Sequence, residues 1–222
     1  WLDGSGAKRL AIVNPATEET FAEVCSATDD EIGQAAEAGQ AAFESGWRDM
    51  PPGERTRLLS NLAKRIHENV ETLAQLETRN VGKPIGDARW EADAGAKVFD
   101  YYAGAIGHLC GQTIPVARGG FDFTLRQPMG VIAAITPWNF PFLIACWKVA
   151  PALAAGNSVV LKPASLTPLT ALMLGQLAQE AGLPDGVLQV VPGSGSEAGN
   201  ALATHPLVRK IGFTGSTEVG AT

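Results

Sequence analysis

The stretch Val131-Ile-Ala-Ala-Ile-Thr136, the turn Pro137-Trp-Asn-Phe-Pro141, an apolar run to Ala155 closed by Gly156-Asn157, and Ser158-Val-Val-Leu161 decide the fold. The outer two runs are short, apolar and rich in β-branched residues, while the middle one has helical length. A strand covered on both faces reads as a continuous apolar run, and parallel strands are the ones so covered. Strand, helix, strand in that order predicts a βαβ unit. The pattern continues outward. A helix over 170–181 is stopped by Gly182-Leu183-Pro184, and a strand follows over 187–191. A Gly-rich turn, a helix to about 204 and a strand over 210–213 complete it. On the other side 121–126 also reads as a strand. The expected class is α/β: a Rossmann-like parallel sheet with flanking helices, preceded by an N-terminal helical segment.

That preceding segment, residues 1–126, has a different grammar. Short strands over 10–24 surround an Asn14-Pro15 turn. A helix runs from Asp29 to about 45, with Asp29 or Asp30 as N-cap. Pro51-Pro52-Gly53-Glu54 opens a second helix, whose stripe of Leu59, Leu62, Ile66, Val70 and Leu73 predicts an amphipathic run to about Asn80. Gly82-Lys83-Pro84 stops it, and a third helix is expected over 87–109, ended by Gly111. We expect residues 1–126 to form an N-terminal helical segment with short strands and 127–222 to form a Rossmann-like core.

Charge follows the same division. Of 17 Lys/Arg and 23 Asp/Glu, residues 127–222 hold only four of each, so the net charge of −6 sits in the first part. An acidic chain without clustered Lys and Arg is not a general nucleic-acid binder. The uncharged stretch 127–147 has the length of a membrane span, but Pro128, Pro137 and Pro141 would break a helix there. No signal segment opens the chain, so a cytoplasmic protein is expected. Three scattered cysteines and three lone histidines give neither a disulfide framework nor metal-ligand spacing.

In open α/β sheets ligands bind at the carboxyl ends of the strands. Four segments fall there: 136–141, 162–165, 193–199 and 214–216. Gly193-Ser-Gly195-Ser-Glu-Ala-Gly199 offers glycines that permit positive φ and close approach to a phosphate at a helix N-terminus. The same glycines also suit a plain strand–helix turn. Lys162 leaves a buried strand, where it can reach ribose hydroxyls or phosphate, or simply snorkel to water. Ser165 can bond the same ligand or cap the next helix. Asn139, in a rigid turn, can donate to a developing oxyanion or bond its own backbone. Lys148, alone in an apolar stretch, is a candidate for proton handling or for a salt bridge. Cys146 reads as a small buried hydrophobe, and nothing near Cys25 or Cys110 depresses a thiol pKa.

Several of these motifs together resemble the aldehyde dehydrogenase superfamily. They are Thr136-Pro-Trp-Asn-Phe-Pro141, Trp147-Lys-Val-Ala-Pro-Ala-Leu-Ala-Ala-Gly-Asn157, Leu161-Lys-Pro-Ala-Ser165 with Thr167-Pro168, and Phe213-Thr-Gly-Ser-Thr-Glu-Val-Gly220. Asn14-Pro-Ala-Thr17 and Gly82-Lys83-Pro84 are similar to the family's N-terminal segments. The resemblance implies oxidation of an aldehyde through a cysteine thiohemiacetal and thioester, with hydride passing to NAD or NADP. It implies that Asn139 is the oxyanion-hole donor and Lys148 a proton relay. It assigns Lys162 to the adenosine ribose, and Gly215 and Ser216 to the pyrophosphate. Ile135, Thr136, Pro137, Trp138 and Val219 join the cofactor groove, with Gly195 and Gly199 near the adenine. Phe140, Leu143, Ile144 and Trp147 fall where the family lines its substrate tunnel. The family's nucleophile and general-base motifs match no cysteine or glutamate here. The resemblance further implies that residues 1–126 are part of the cofactor-binding domain and 127–222 its NAD(P)-binding core, interrupted before a catalytic domain. We therefore expect both catalytic groups beyond Thr222, and no turnover by these 222 residues alone.

Two departures carry expectations of their own. Ser165 stands where many NAD-preferring members have Glu, and a serine does not repel the 2′-phosphate of NADP. Trp147 stands where similar succinic-semialdehyde enzymes tend to carry arginine, so a neutral or cationic aldehyde is expected, a quaternary ammonium included. A homodimer or homotetramer is implied for the whole enzyme. Two alternatives stay open: a non-catalytic nucleotide-binding module of the same fold, and an acyl-phosphate reductase.

Overall fold

Every residue of the strand Val131–Ile135 except its last is buried, so side chains on both of its faces need cover. The computed structural model, which describes Gly4 and residues 8–221, supplies that cover from both ends of the chain. An antiparallel pair, β1 (Arg9–Asn14) and β2 (Glu19–Cys25), leads into α1 (Asp29–Ala42). Three helices follow: α2 (Pro52–Glu68), α3 (Val70–Val81) and α4 (Ile85–Ala105). A small hairpin of β3 (Thr113–Ile114) and β4 (Asp122–Phe123) precedes the core. The core runs β5 (Val131–Ile135), α5 (Pro141–Ala154), β6 (Ser158–Lys162), α6 (Leu169–Glu180), β7 (Leu188–Val190), α7 (Asn200–Thr204), β8 (Val208–Phe213) and α8 (Thr217–Gly220).

The four core strands form one parallel sheet in the order β7-β6-β5-β8. Successive side chains of a strand point to opposite faces, and the packing follows that alternation. Val131 and Ala133 of β5 and Val160 of β6 meet Ile32 and Ala35 of α1 and Leu202 of α7. Ile132, Ala134, Val159 and Leu161 meet the larger cluster built by α2, α4, α5 and α6, with Phe99 and Phe142 fully buried in it. The sheet's first face is therefore covered by a helix from the acidic part of the chain. α1 packs closely because Gly39 lies over the sheet, where a Cβ would stand 3.3 Å from the Ser158 hydroxyl.

Several boundaries differ from the sequence expectations. The N-cap of α1 is Thr28, whose hydroxyl accepts from the Glu31 N–H (3.2 Å) while Glu31 accepts the Thr28 N–H (2.7 Å). This reciprocal capping box outcompetes an aspartate one residue on. The expected single helix to Asn80 is two helices. Asn69 leaves helical geometry, and its amide donates to the Arg65 carbonyl at 2.8 Å. An asparagine that bonds local backbone offers the chain an alternative to the helix ladder, and the apolar spacing simply resumes at Val70. The strand expected over 121–126 shrinks to β4, outside the main sheet, with Phe121 and Leu125 exposed. Its alternation marks an apolar surface without saying what covers it.

Arg55 ties the helical layer to the sheet layer. Its buried guanidinium donates to the carbonyls of Trp47, Arg48, Met50 and Ala154, at 3.1–3.3 Å. The Trp47 indole below it donates to the Asn157 carbonyl at 2.9 Å. Replacing Arg55 with Met leaves those buried carbonyls without a donor. We predict a loss of about 3 kcal/mol in unfolding free energy of the complete protein, read as a lower urea midpoint. An unchanged midpoint would show that these bonds contribute nothing net.

Candidate active site

Parallel register sets the frame of the site. Ile135, the last residue of β5, lies between Lys162 of β6 and Phe213 of β8. The backbone then carries the pairing past the strand ends. The Thr136 N–H donates to the Lys162 carbonyl, and the Thr214 N–H donates to the Ile135 carbonyl, both at 3.1 Å. The Val191 N–H donates to the Leu161 carbonyl at 2.9 Å. The segments after β5, β6, β7 and β8 thus leave the sheet at one edge. The chain moves outward from β5 through β6 to β7 and then returns to β8 on the other side of β5. Such a reversal of strand order is where open α/β sheets leave a ligand crevice.

Two polar groups at this edge lack partners. Lys162 is 3% exposed, and among the described residues its ammonium has no hydrogen bond or ion pair. Burial pushes its pKa down. The Thr136 hydroxyl is buried and unbonded. Ser165 is half-buried and caps no helix, since α6 begins at Leu169 with Pro168 at the N-cap. Ile135 and Pro137 are half-buried beside them, and Trp138 is exposed. The Trp138 carbonyl accepts from the Thr167 hydroxyl at 3.3 Å, which ties the turn after β5 to the loop after β6.

The glycine turns are built differently from the expectation. Neither Gly195 nor Gly199 has positive φ, and neither is crowded. Gly193 is the sterically required one, because a Cβ there would come 2.5 Å from that of Ala198. Ser194 caps the widened turn that follows, and Glu197 pairs with Lys8. After β8, Gly215 is required, because a Cβ would meet the Phe213 ring at 2.4 Å. The Ser216 hydroxyl accepts from the Val219 N–H at 3.3 Å as the cap of α8, and both residues are exposed.

The turn between β5 and α5 carries Asn139, which is exposed, and among the described residues its side-chain amide bonds nothing. It does not make the local turn bond that Asn14 makes to the Ala16 N–H (2.9 Å). Its backbone carbonyl is held by the Lys83 ammonium at 3.1 Å. On α5, Phe140, Ile144 and Trp147 lie toward solvent at helical spacing, whereas Leu143 is buried away from that face. Lys148 is half-buried against Gly212 of β8, and burial lowers its pKa. Cys146 is fully buried and its thiol is pushed up, by burial first and by Glu91 and Glu77 second.

Sequence reasoning gave no role to the groups behind this turn. Lys83 reads locally as part of a helix stop, and Glu77 and Glu91 as members of solvated helices. All three converge beneath Asn139. Lys83 bonds Glu91 and lies 3.7 Å from Glu77, and both carboxylates are buried. Glu77 also accepts from the Thr170 hydroxyl at 2.9 Å, and Asn80, one turn on, donates to the Leu166 carbonyl at 2.9 Å. The one available signal was the spacing of Glu77 and Asn80, which puts them on the buried face of α3.

Residues 1–222 match the family model described as "Aldehyde dehydrogenase family". The chain is 48% identical over 229 residues to the phenylacetaldehyde dehydrogenase of Pseudomonas fluorescens, covering 99% of this chain and 45% of that protein. A solved NAD+ complex of an aldehyde dehydrogenase from Bacillus cereus is 43% identical, with a TM-score of 0.96 over 99% of this chain and 45% of its own. A structure described as an E. coli NADP dependent enzyme is 41% identical, with a TM-score of 0.97 over 100% and 46%. The chain thus spans less than half the length of each of these three relatives. No helix among the described residues is long and apolar enough to cross a membrane, and no group of three or more metal-ligating side chains forms among them.

The buried carboxylates give a prediction in pH. Burial first, and the nearby Glu91 second, push Glu77 up to about 8 from its ordinary 4.5. Between those values the native state holds a proton that the unfolded state has released. Stability therefore falls as pH rises through this window and levels off above it. Glu77→Gln imitates the protonated acid. Its urea midpoint should gain on wild type steadily from about pH 5 to pH 8, with little difference below 4.5. Parallel curves for the two proteins across that range would contradict the raised pKa.

Proposed function

The chain belongs to the aldehyde dehydrogenase family, and from that premise we propose that it is part of an enzyme oxidising an aldehyde to a carboxylic acid with NAD or NADP. The observation that carries the reading is the state of Asn139. Its amide bonds nothing among the described residues, while its backbone is fixed at the crevice edge of a parallel sheet. An amide that no protein group engages is available to an oxyanion, and the fixed backbone sets where it projects; donors placed in advance account for much of enzymatic rate enhancement.

The residues at the strand exits fit a dinucleotide. The Lys162 ammonium suits ribose hydroxyls, and the Thr136 and Ser165 hydroxyls follow the adjacent strands β5 and β6; none of the three has a partner among the described residues. Ile135, Pro137, Trp138, Gly195, Gly199, Gly215, Ser216 and Val219 complete the proposed groove. The nicotinamide, when bound, supplies the hydride acceptor. The chain's own part is to hold that cofactor and to receive charge on the aldehyde oxygen at the Asn139 amide. Lys148, with its lowered pKa, is suited to exchange protons. The cysteine nucleophile and the glutamate base of the reaction are assigned to the rest of the complete protein, because no cysteine or glutamate here lies in a context similar to the family's motifs, and Cys146 is buried with its thiol pKa pushed up. In this reading α1 and the helices before 126 serve the same unit as the core, since α1 covers one face of its sheet.

The aldehyde is proposed to be neutral or cationic. Phe140, Ile144 and Trp147 offer an apolar face on α5, and the P. fluorescens relative is named for a neutral aromatic aldehyde. A cytoplasmic homodimer or homotetramer is the proposed setting.

Two measurements on the complete protein test the reading. Asn139→Ala should lower kcat by about 10²–10³, and an unchanged kcat would remove it from the oxyanion role. Steady-state kinetics should show turnover with NADP as well as NAD, and Ser165→Glu should depress the NADP rate selectively, through repulsion of the 2′-phosphate. Exclusive use of NAD by wild type would overturn the role given to Ser165.

A further inference from the structure

We propose that the Lys83–Glu91 pair is a clamp that aims the Asn139 amide by gripping the backbone on both sides of Phe140. The proposal rests on the oxyanion role given to Asn139 above. Lys83 and Glu91 are positioning residues, and neither is taken to touch the substrate.

The geometry begins with a deficiency. The residue at the N-cap of α5 is Phe140, which has no side-chain acceptor. The Leu143 N–H, in the first turn, is one of the donors a helix start leaves orphaned. Glu91 of α4, 52 residues earlier, takes it at 3.1 Å. A carboxylate at a helix N-terminus is also favoured by the helix dipole. The other oxygen of Glu91 holds Lys83, and Lys83 in turn donates to the Asn139 carbonyl. The ammonium also lies 4.4 Å from the centroid of the Phe140 ring. The turn is thus held before Phe140 by the lysine and after it by the glutamate. The backbone from which the Asn139 amide projects can shift only if one of those contacts breaks.

The clamp is itself rigidly mounted. Lys83 sits in the short connection between α3 and α4. Gly82 ends α3 at φ 82°, and a Cβ there would come 2.6 Å from the Pro15 ring. Pro84 follows, and Glu91 is fully buried. Stability does not explain such a pair, because desolvating two charges offsets most of what their attraction gains. Fixing a direction does explain it, since a catalytic amide must be held to within a fraction of an ångström.

A second carboxylate makes the clamp sensitive to pH. Glu77 faces Lys83 from the connecting loop, Glu91 from α4, the Thr170 hydroxyl from α6 and the neutral Cys146 thiol from α5. With Glu77 held at about 8, the cluster near neutrality is one ammonium, one carboxylate and one acid. Above that pH a second negative charge appears beside Lys83 and competes with the Asn139 carbonyl for the ammonium.

The test uses the complete protein. Replacing the pair together, Lys83→Met with Glu91→Leu, avoids leaving either charge buried alone. The double variant should lose about 10²-fold in kcat through misplacement of the turn, with the dissociation constant for NAD or NADP unchanged. Amide hydrogen exchange over 139–144 should quicken. Adding Asn139→Ala should cost little more, since an amide already misaimed has little left to lose. Should Asn139→Ala leave wild-type kcat intact, the oxyanion reading falls and the clamp has nothing to aim. Should it cost heavily while the double variant keeps full kcat, the clamp falls and the oxyanion reading stands. If the double variant does not fold, the pH profile of Glu77→Gln decides: wild-type kcat should decline near pH 8, and the variant should lack that decline. A decline kept in Glu77→Gln would overturn the proposal.

Discussion

Parallel pairing at Ile135 is the constraint on which the rest depends. Its carbonyl accepts from Thr214, and the next amide, on Thr136, donates to Lys162. Those two bonds hold the exits of β8 and β6 against the exit of β5. Each strand must be entered from the opposite edge of the sheet, so every connection is a crossover and most of them contain a helix. The connections leave at one edge and return at the other. Residues that lie far apart in sequence, such as Asn139, Lys162 and Gly215, are thereby delivered to neighbouring positions, on segments whose other ends are buried. The site is a by-product of how a parallel sheet must be wired.

The helices before the sheet do more than cover it. α3 and α4 carry buried polar groups on faces that would otherwise be apolar, and those groups reach the loops at the strand exits. Asn80 holds the loop after β6 through the Leu166 carbonyl, Glu77 holds the start of α6 through Thr170, and Glu91 holds the start of α5. Each of these costs desolvation. What is gained in exchange is fixed backbone at places where loops would otherwise move. Arg55 does the same for the carbonyls at the end of α5 and beside Trp47. The acidic half of the chain is therefore a mount for the uncharged half.

The sequence was legible where one physical signal dominated. Continuous apolar runs gave β5 and β6 because both faces of each are covered. Gly82, Gly156 and Gly182 marked three ends correctly, and all three have the positive φ that a helix end asks for. The misreadings came from competition between local signals. Thr28 beat Asp29 as a cap because Glu31 could return its bond. Asn69 broke a helix whose apolar stripe runs across the break. The positive φ expected at glycines 195 and 199 is absent, and the steric need for glycine falls on Gly193. At the site, Asn139 and Lys162 stood out by their odd settings. Lys83, Glu77 and Glu91 did not, since a charge on an amphipathic helix is ordinarily on its wet face.

By itself the sequence determined the strands and helices of the core, that the sheet is parallel and covered, and which motifs mark the family. Those follow from residue volume, polarity and turn chemistry within a few positions of one another. The tertiary structure alone decided the strand order β7-β6-β5-β8, the side of the sheet that α1 covers, and the partners of the buried charges. Lys83 meets Asn139 across 56 residues, and Glu91 meets Leu143 across 52. No local periodicity encodes such a meeting. It depends on the direction in which two rigid helices pack, and that is settled only when the whole core closes.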